Sequence, residues 1–503
     1  MVESFDHDSC TWDSRDFFSD LAAEHPLYIY ISADKAFLYI GTNLAEMLEA
    51  CRKNQKLEVS DDAISYLLQS GCVPTPLTVF TGLYVVSIGI AATILRDAQG
   101  FSISFNNEYP FGSDFYTDRQ KPIDDINKEM LELIACRVDD ESVPNRPKIL
   151  FHSAGKDSNT VALALSGLPD KSDYRFVSIK ADDAKDESEI SRNLAKKMGF
   201  EHKVLNPIDT LGRQESYRRF VTEFFRNAPF PGVDFVSIVY PLLLDQYPDL
   251  RGANIIDGGG NDAYMTIPVS QKEKLKLKLG MASSVLHPIL KYFDFGTLFT
   301  ALTRSAPEWC GMSGFGYRAS SKILPGSIDC RKSWIDDWKT QDSKDKSKLY
   351  TKYRAGIIAA EVHLRKVRNF GDAFGCKVIF PFANEAVVNS VRQLSYSDVT
   401  DIDTPRNKVF LRNLLKEKLD LDSDALGKLG FEYDVAGFLI ANRDWVEEEI
   451  MSCTLWNTPE VSKATSKLYA QLARDGWVSR NAAAMLNRLF LISGWYRHCK
   501  FIQ

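Results

Sequence analysis

A chain of 503 residues, 45% hydrophobic and 25% charged, is long enough for roughly two or three cores and falls in the ordinary range of soluble proteins. A formal charge of -6 gives no general attraction to nucleic acid, and nine cysteines without a CxxC pair exclude a disulfide scaffold or cysteine zinc site and suit a cytoplasmic chain. The acidic N-terminus lacks the apolar run of a secretory signal, and Tyr84 to Leu95 falls short of the roughly 20 apolar residues of a membrane span.

The first 140 or so residues predict a small α+β domain. PLYIYISADKAFLYIGTN, from Pro26 to Asn43, predicts two short strands about a turn, followed by a helix over Ala45 to Gln55 and another from Asp61 to Gln69. The apolar run at 84–95 predicts buried strands. An acidic, proline-containing stretch from Tyr109 leads through a helix toward the second half, with residues 137–149 as the linker.

Phe151 to Leu165 predicts a strand that turns sharply through Ser153, Ala154, Gly155, Lys156, Asp157 and Ser158 into an apolar helix. Small residues at 153–155 let the main chain approach a ligand closely, and two hydroxyls and successive N–H groups favour negative charge at the helix start. Pyrophosphate from ATP is the expected guest. The common phosphate loop is excluded, because Lys156 is followed by Asp157 rather than Ser or Thr. The segment resembles the N-type ATP pyrophosphatases, whose signature Ser-Gly-Gly-x-Asp-Ser is matched by Ser153, Gly155, Asp157 and Ser158, with Ala154 replacing the middle glycine. Members generally cleave ATP to AMP and pyrophosphate while adenylating a substrate.

Five later segments, in the same order, resemble the synthetase domain of glutamine-dependent asparagine synthetase and its relatives, β-lactam synthetase and the lasso-peptide cyclases. A strand at Arg175 to Ile179 and a helix at Glu189 to Met198 repeat the βα pattern. The resemblance puts Ser178, Ile179 and Lys180 at adenosine and Asp186 and Glu187 at the family's Asp-Glu pair; Asp182 and Asp183 predict a solvated acidic turn. ANIIDGGGNDAYM, residues 253 to 265, resembles the second pyrophosphate-side loop, retaining Gly258, Gly260 and Asp262. The glycines at 258, 259 and 260 would bring N–H groups to phosphate oxygens, and Asp157 and Asp262 would hold Mg²⁺ through hard oxygens. Three positions depart from the pattern: Asp257 replaces a serine, Ala263 the second acidic residue, and Gly259 the glutamate or tyrosine that handles protons. Tyr264 predicts a packing aromatic. Val378 to Leu394 resembles the Pro-Phe-Leu-Asp segment, with Asn384 at the aspartate position, and Lys408 and Arg412 fall on one face of the Lys-x-x-Leu-Arg helix. GKLGF, residues 427 to 431, resembles the Lys-x-Gly-Phe turn, which makes Lys428 the residue expected to neutralise the α-phosphate and, with Asp262, to carry catalysis.

The resemblance implies an α/β fold over residues 145–503, a mostly parallel sheet flanked by helices of the adenine-nucleotide α-hydrolase type. A degenerate glutaminase-like α+β domain, residues 1–140, precedes it; the chain begins Met1-Val2 and its first cysteine is Cys10, so the N-terminal nucleophile is missing. The implied activity is ATP- and Mg²⁺-dependent amide formation on a carboxylate-bearing small molecule or peptide, closing a lactam or macrocycle. Alternatives are ammonia-dependent amidation and an ATP-binding scaffold without turnover. A sulfur-transferring RNA ligase with the same loop would need accessible cysteines and a basic surface. A leader peptide or ammonia-delivering protein is a possible partner, and HLRKVR at 363–368 is the expected basic face for an acidic one. Helices over 271–360 are expected to roof the crevice, with Lys- and Asp-rich 322–348 as a mobile loop, and the C-terminal stretch predicts core helices.

Overall fold

The computed structural model describes residues 2–180, 186–206, 214–270, 275, 314–340, 346–426, 434–474 and 476–502. Asp182, Asp183, Lys428 and nearly all of 271–313 lie outside the described residues.

Alternating side chains build two antiparallel sheets from the N-terminal strands. Strands β1 (Val2–Asp6), β2 (Ser14–Phe18), β3 (Leu27–Ile31), β4 (Phe37–Gly41), β5 (Leu83–Val86), β6 (Ile90–Asp97) and β7 (Gly100–Asn107) divide into orders β1-β4-β3-β5 and β2-β6-β7. The two strands predicted about a turn are β3 and β4, paired with Ile29 opposite Ile40. Period-two geometry sends Ile29, Ile31, Leu38, Ile40 and Val86 to one face, where they meet Phe17, Ile90, Ala92, Ile94 and Phe101 of the second sheet. Tyr28, Tyr30, Tyr39 and Val85 face the other way and join the main core with Met47 and Leu48 of the helix Leu44–Cys51 and Ile64 of the helix Asp61–Ser70. Each buried Leu, Ile or Phe stabilises this layering by about 1.5–3 kcal/mol.

The predicted linker, residues 137–149, is helix over its first five residues and strand over its last two. Residues Ile123–Glu141 form one helix that buries Ile126, Met130, Ile134 and Val138 and packs against the helix Lys156–Ser166, so only about six residues connect it to the next strand. Its apolar period was masked by the acidic residues on its solvated side.

The second half centres on a five-stranded sheet, β8 (Lys148–Phe151), β9 (Tyr174–Ile179), β10 (Glu201–Leu205), β11 (Asn254–Ile256) and β12 (Lys377–Ile379). Every pairing is parallel and the order is β10-β9-β8-β11-β12. Helices Lys156–Ser166 and Ser188–Lys197 carry the chain from β8 to β9 and from β9 to β10. The chain then returns to the far side of β8 with β11, so the topology reverses between β8 and β11. Outside the carboxyl ends of two such strands the connecting segments diverge and leave a crevice, the usual ligand site of open α/β sheets.

Two other expectations fail. Residues Cys330–Thr340 form a helix rather than a mobile loop: Trp334 is buried edge-on to Tyr66 and Tyr353 and donates to Ser70 Oγ at 2.8 Å. A tryptophan and its neighbour Ile335 outweigh the surrounding charge. The basic run at 363–368 is largely internal, because Arg365 is buried on Glu361 and Tyr28, Arg368 donates to the Ala23 carbonyl at 2.7 Å, and Lys366 pairs with Asp234. These contacts join the helix Arg365–Phe374 to the strand β3 region and leave little of the run to meet a partner. The C-terminal helices Thr458–Leu472 and Trp477–His498 complete the core; Trp495 packs on Phe80, and Arg488 donates to the Leu68 carbonyl at 2.9 Å. Among the described residues no helix is long and apolar enough to cross a membrane.

Candidate functional site

The turn after β8 is a closed hydrogen-bonded unit. Ser153 N donates to Ser158 Oγ at 3.1 Å, Gly155 N donates to Ser153 Oγ at 3.1 Å, and the two hydroxyls lie 3.1 Å apart. Asn159, fully buried, donates to the carbonyls of Ser153 and Gly155 at 2.9 and 2.8 Å, and its oxygen meets His152 Nε2 at 3.0 Å. Burial pushes the His152 imidazole down to about 4, so it is neutral near pH 7. The helix Lys156–Ser166 has no side-chain cap, and its first closing bond is Asn159 N to Gly155 O. The N–H groups of its first turn therefore have no carbonyl of the helix to bond and point toward the crevice end. Ala154 N already binds an oxyanion, the Glu187 carboxylate at 2.8 Å, whose pKa burial raises while this bond pulls it down.

The turn after β11 is shaped by contact. An added Cβ at Gly258 would lie 2.8 Å from the Ser158 amide nitrogen, so this glycine is what lets the second turn rest on the first. At Gly260, with φ +106, a Cβ would come within 2.9 Å of Ala383. A Cβ at Gly259 would meet Leu364 Cδ2 at 2.7 Å and Asp257 Oδ1 at 2.9 Å, so the space a side chain at 259 would enter is filled by a buried leucine. Asp257 accepts from Gly259 N at 2.8 Å, and burial raises its pKa. From the N-terminal half, Tyr109 and Tyr116 donate to the Ala263 and Tyr264 carbonyls, and Tyr264 OH donates to Phe382 O at 2.7 Å, which makes Tyr264 a packing aromatic as expected.

The two turns converge on one cation. Lys408, 1% exposed, donates to Asp157 at 2.8 Å, Asp262 at 2.7 Å and Asn261 Oδ1 at 2.8 Å. Asn261 Nδ2 donates in turn to Asp157 Oδ1 at 2.8 Å. The residue before Lys408 anchors it: Asn407, in the short ribbon of β13 (Thr400–Asp401) and β14 (Arg406–Asn407), donates to Met265 O at 2.7 Å. Lys408 itself sits in the left-handed region, φ +60, at the start of the helix Val409–Leu419, a conformation costing about 1–2 kcal/mol that the three acceptors hold in place. Burial lowers the Lys408 pKa but Asp157 and Asp262 raise it more, so the ammonium is charged. Burial pushes the Asp262 carboxyl up, yet Lys408, with His363 and Lys156, brings it down to about 2. Burial lowers the pKa of Lys156, opposed by Asp157 and reinforced by Lys408 and Arg412.

Other expected site residues are engaged elsewhere. Arg412 pairs with Asp424 and donates to Asn407 O at 2.9 Å, beside Lys408 but turned to its own support. Ser178 is buried, donating to His152 O at 2.6 Å and meeting His202 Nε2 at 2.7 Å, so its hydroxyl braces β9 on β8; Ile179 ends that strand opposite Leu205. Asp186 caps the helix Ser188–Lys197 by accepting from Ser188 N and Oγ at 3.0 and 2.9 Å. Asn384 caps the helix Glu385–Arg392 and donates to Glu24 at 3.0 Å. Sequence reasoning passed over Asn159 and Asn261, each directly next to a residue it named; an amide three positions into the helix could have signalled a brace for the turn's carbonyls. Among the described residues no cluster of three or more His, Cys, Asp or Glu side chains is placed to hold a metal. No protein-family model matches the chain, and no curated protein matches it.

Proposed function

We propose that the protein is an ATP-dependent amide-bond-forming synthetase that adenylates a carboxylate, releases pyrophosphate and condenses the acyl-adenylate with an amine. One observation carries the reading: two turns meet at the reversal point of a parallel sheet and direct Asp157 and Asp262 at a single buried positive charge. Two carboxylates plus phosphate oxygens are the usual donor set for Mg²⁺, and oxygens already converging on one cation fit that ion. Asp157 and Asp262 would hold it; when bound with ATP it would neutralise charge on the departing pyrophosphate.

The chain's own groups supply the rest. First-turn N–H groups of the helix Lys156–Ser166 and the Ala154 N–H receive phosphate oxygens, the latter once Glu187 is displaced. Lys156 and Lys408 add positive charge beside them, and Asn159, Ser153 and Ser158 keep the turn in shape. The substrate carboxylate attacks the α-phosphorus, pyrophosphate leaves, and the amine then attacks the acyl carbon and expels AMP. Lys428 is the residue proposed to stabilise the charge that grows at this stage.

A second reading, an ATP-binding protein without turnover, is favoured by Leu364 at Gly259, by Glu187 on the Ala154 N–H and by Lys408 between the carboxylates. Pyrophosphate release measured with a panel of acids and peptides, followed by product mass, separates the two. The synthetase reading expects substrate-dependent release and loss of one water on condensation; nucleotide binding without any such release sinks it. Lys428→Ala should slow amide formation by about 10²–10³-fold, and a rate within about two-fold of the parent protein would remove that role.

A further inference from the structure

We infer that a cavity beside the second turn binds an organic cation with an apolar body, an aliphatic or aromatic ammonium. The cavity, about 280 Å³, lies where residues 111–116, 264–269 and 396–402 meet and falls near the small end of the roughly 300–1,000 Å³ range of ligand clefts. Four aromatic side chains line it: Phe111, Tyr116, Tyr264 and Tyr396. Phe111 and Tyr264 pack with ring centroids 5.7 Å apart, as do Tyr116 and Tyr396, so the wall is braced. The hydroxyls of Tyr116 and Tyr264 are engaged with main-chain carbonyls, which leaves those residues to act through their rings.

The charge pattern decides what such a wall accepts. Among the described residues no Lys, Arg or His lines the cavity, and its one charged side chain is the exposed Asp114, which makes no ion pair there. Two residues before Tyr264, Asp262 and its neighbour Asp157 are matched by Lys156 and Lys408, so that cluster lends the cavity no net positive charge and an anion finds no counter-charge within it. An ammonium would gain the ring quadrupoles and the Asp114 carboxylate. Ile402, 62% exposed, lines the same cavity, and an apolar body would cover it. Only the use of this cation as the amine reactant rests on the proposed synthetase reading; its binding does not.

Three probes sharing one body test this on the full chain by calorimetry without nucleotide: 2-phenylethylammonium, 2-phenylethanol and 3-phenylpropanoate. The ammonium should bind about 5–10-fold tighter than the alcohol, and the carboxylate weakest. Asp114→Asn, at an exposed position, should weaken the ammonium about 2–5-fold and leave the alcohol unchanged. Ile402→Lys should reverse the order of ammonium and carboxylate. Equal binding of all three probes, or an unchanged order in both variants, overturns the inference. Ammonium selectivity in a preparation that never releases pyrophosphate from ATP keeps this site and sinks the synthetase reading; substrate-dependent release without selectivity sinks this site alone.

Discussion

The turn after β8 is held by side chains that bond within it, Ser153, Ser158 and Asn159, whereas the turn after β11 is held by glycines pressed against neighbouring backbone. Both look alike in sequence, a strand stub running into small residues and an aspartate. In the first, the Ala154 N–H reaches out to a carboxylate from another segment, Glu187, whereas in the second the Gly259 N–H closes back on Asp257 of the same turn. In the second, Gly258 and Gly260 serve contact, and the chemistry comes from Asn261 and Asp262. Glycine content therefore marks close approach without saying what approaches.

The largest expected break is the double substitution Asp157→Ala with Asp262→Ala, which strips both turns of their shared cation. Lys408 would keep only Asn261, and breaking a buried pair costs about 3–5 kcal/mol; urea unfolding should show a loss near that size, and substrate-dependent pyrophosphate release should vanish. Full release rates would remove both carboxylates from the proposed chemistry. Gly258→Ala should come next. Its methyl meets backbone rather than a movable side chain, so about 1–3 kcal/mol is expected by denaturation. Asn159→Ala, which takes from the Ser153 and Gly155 carbonyls their shortest bonds and leaves them the longer ones from the Ser158 hydroxyl and the Asn159 N–H, should cost about 1–3 kcal/mol while sparing the second turn.

Acid separates the two turns by pH. His152 is depressed to about 4 from an ordinary 6.5, so its neutral form favours the fold; that contribution is complete above pH 6.5 and is lost as pH falls toward 4, at no more than about 1.4 kcal/mol per pH unit. His152→Asn should flatten this part of the stability profile. Asp262, held at about 2 against an ordinary 3.8, contributes fully above 3.8 and loses its contribution as pH falls through 2. Asp262→Asn should flatten only that lower window, the smallest of these effects because the carboxylate is half exposed.

Local patterning was legible wherever one face of an element is apolar. The pair β3 and β4, the helix Lys156–Ser166, strand β9 and the helix Ser188–Lys197 lie where alternation or helical period put them, within a residue or two. The helix through 137–141 was hidden because its core side chains are sparse among acidic ones, and the helix at Cys330–Thr340 because one tryptophan anchors an otherwise charged segment. The basic run at 363–368 shows the reverse limit: charge predicts exposure only when no internal partner exists, and besides the nearby Glu361, Tyr28, Asp234 and the Ala23 carbonyl are brought in from segments far apart in the chain. The same holds at the site. Lys408 was expected beside phosphate, but its bond to Asp157 spans 251 positions, and no spacing rule reports on that.

The leucine at 364 bears on what the second turn can accept at position 259. An exchange of Gly259 for glutamate would press a side chain against Leu364 Cδ2 and set a carboxyl beside Asp257, whose pKa burial already raises, so both neighbours must give way. Shortening Leu364 to alanine and replacing Asp257 by serine would clear both neighbours before the glutamate enters, three changes in all. Variants carrying either change alone, and both together, would show directly which neighbour resists the acidic side chain at position 259.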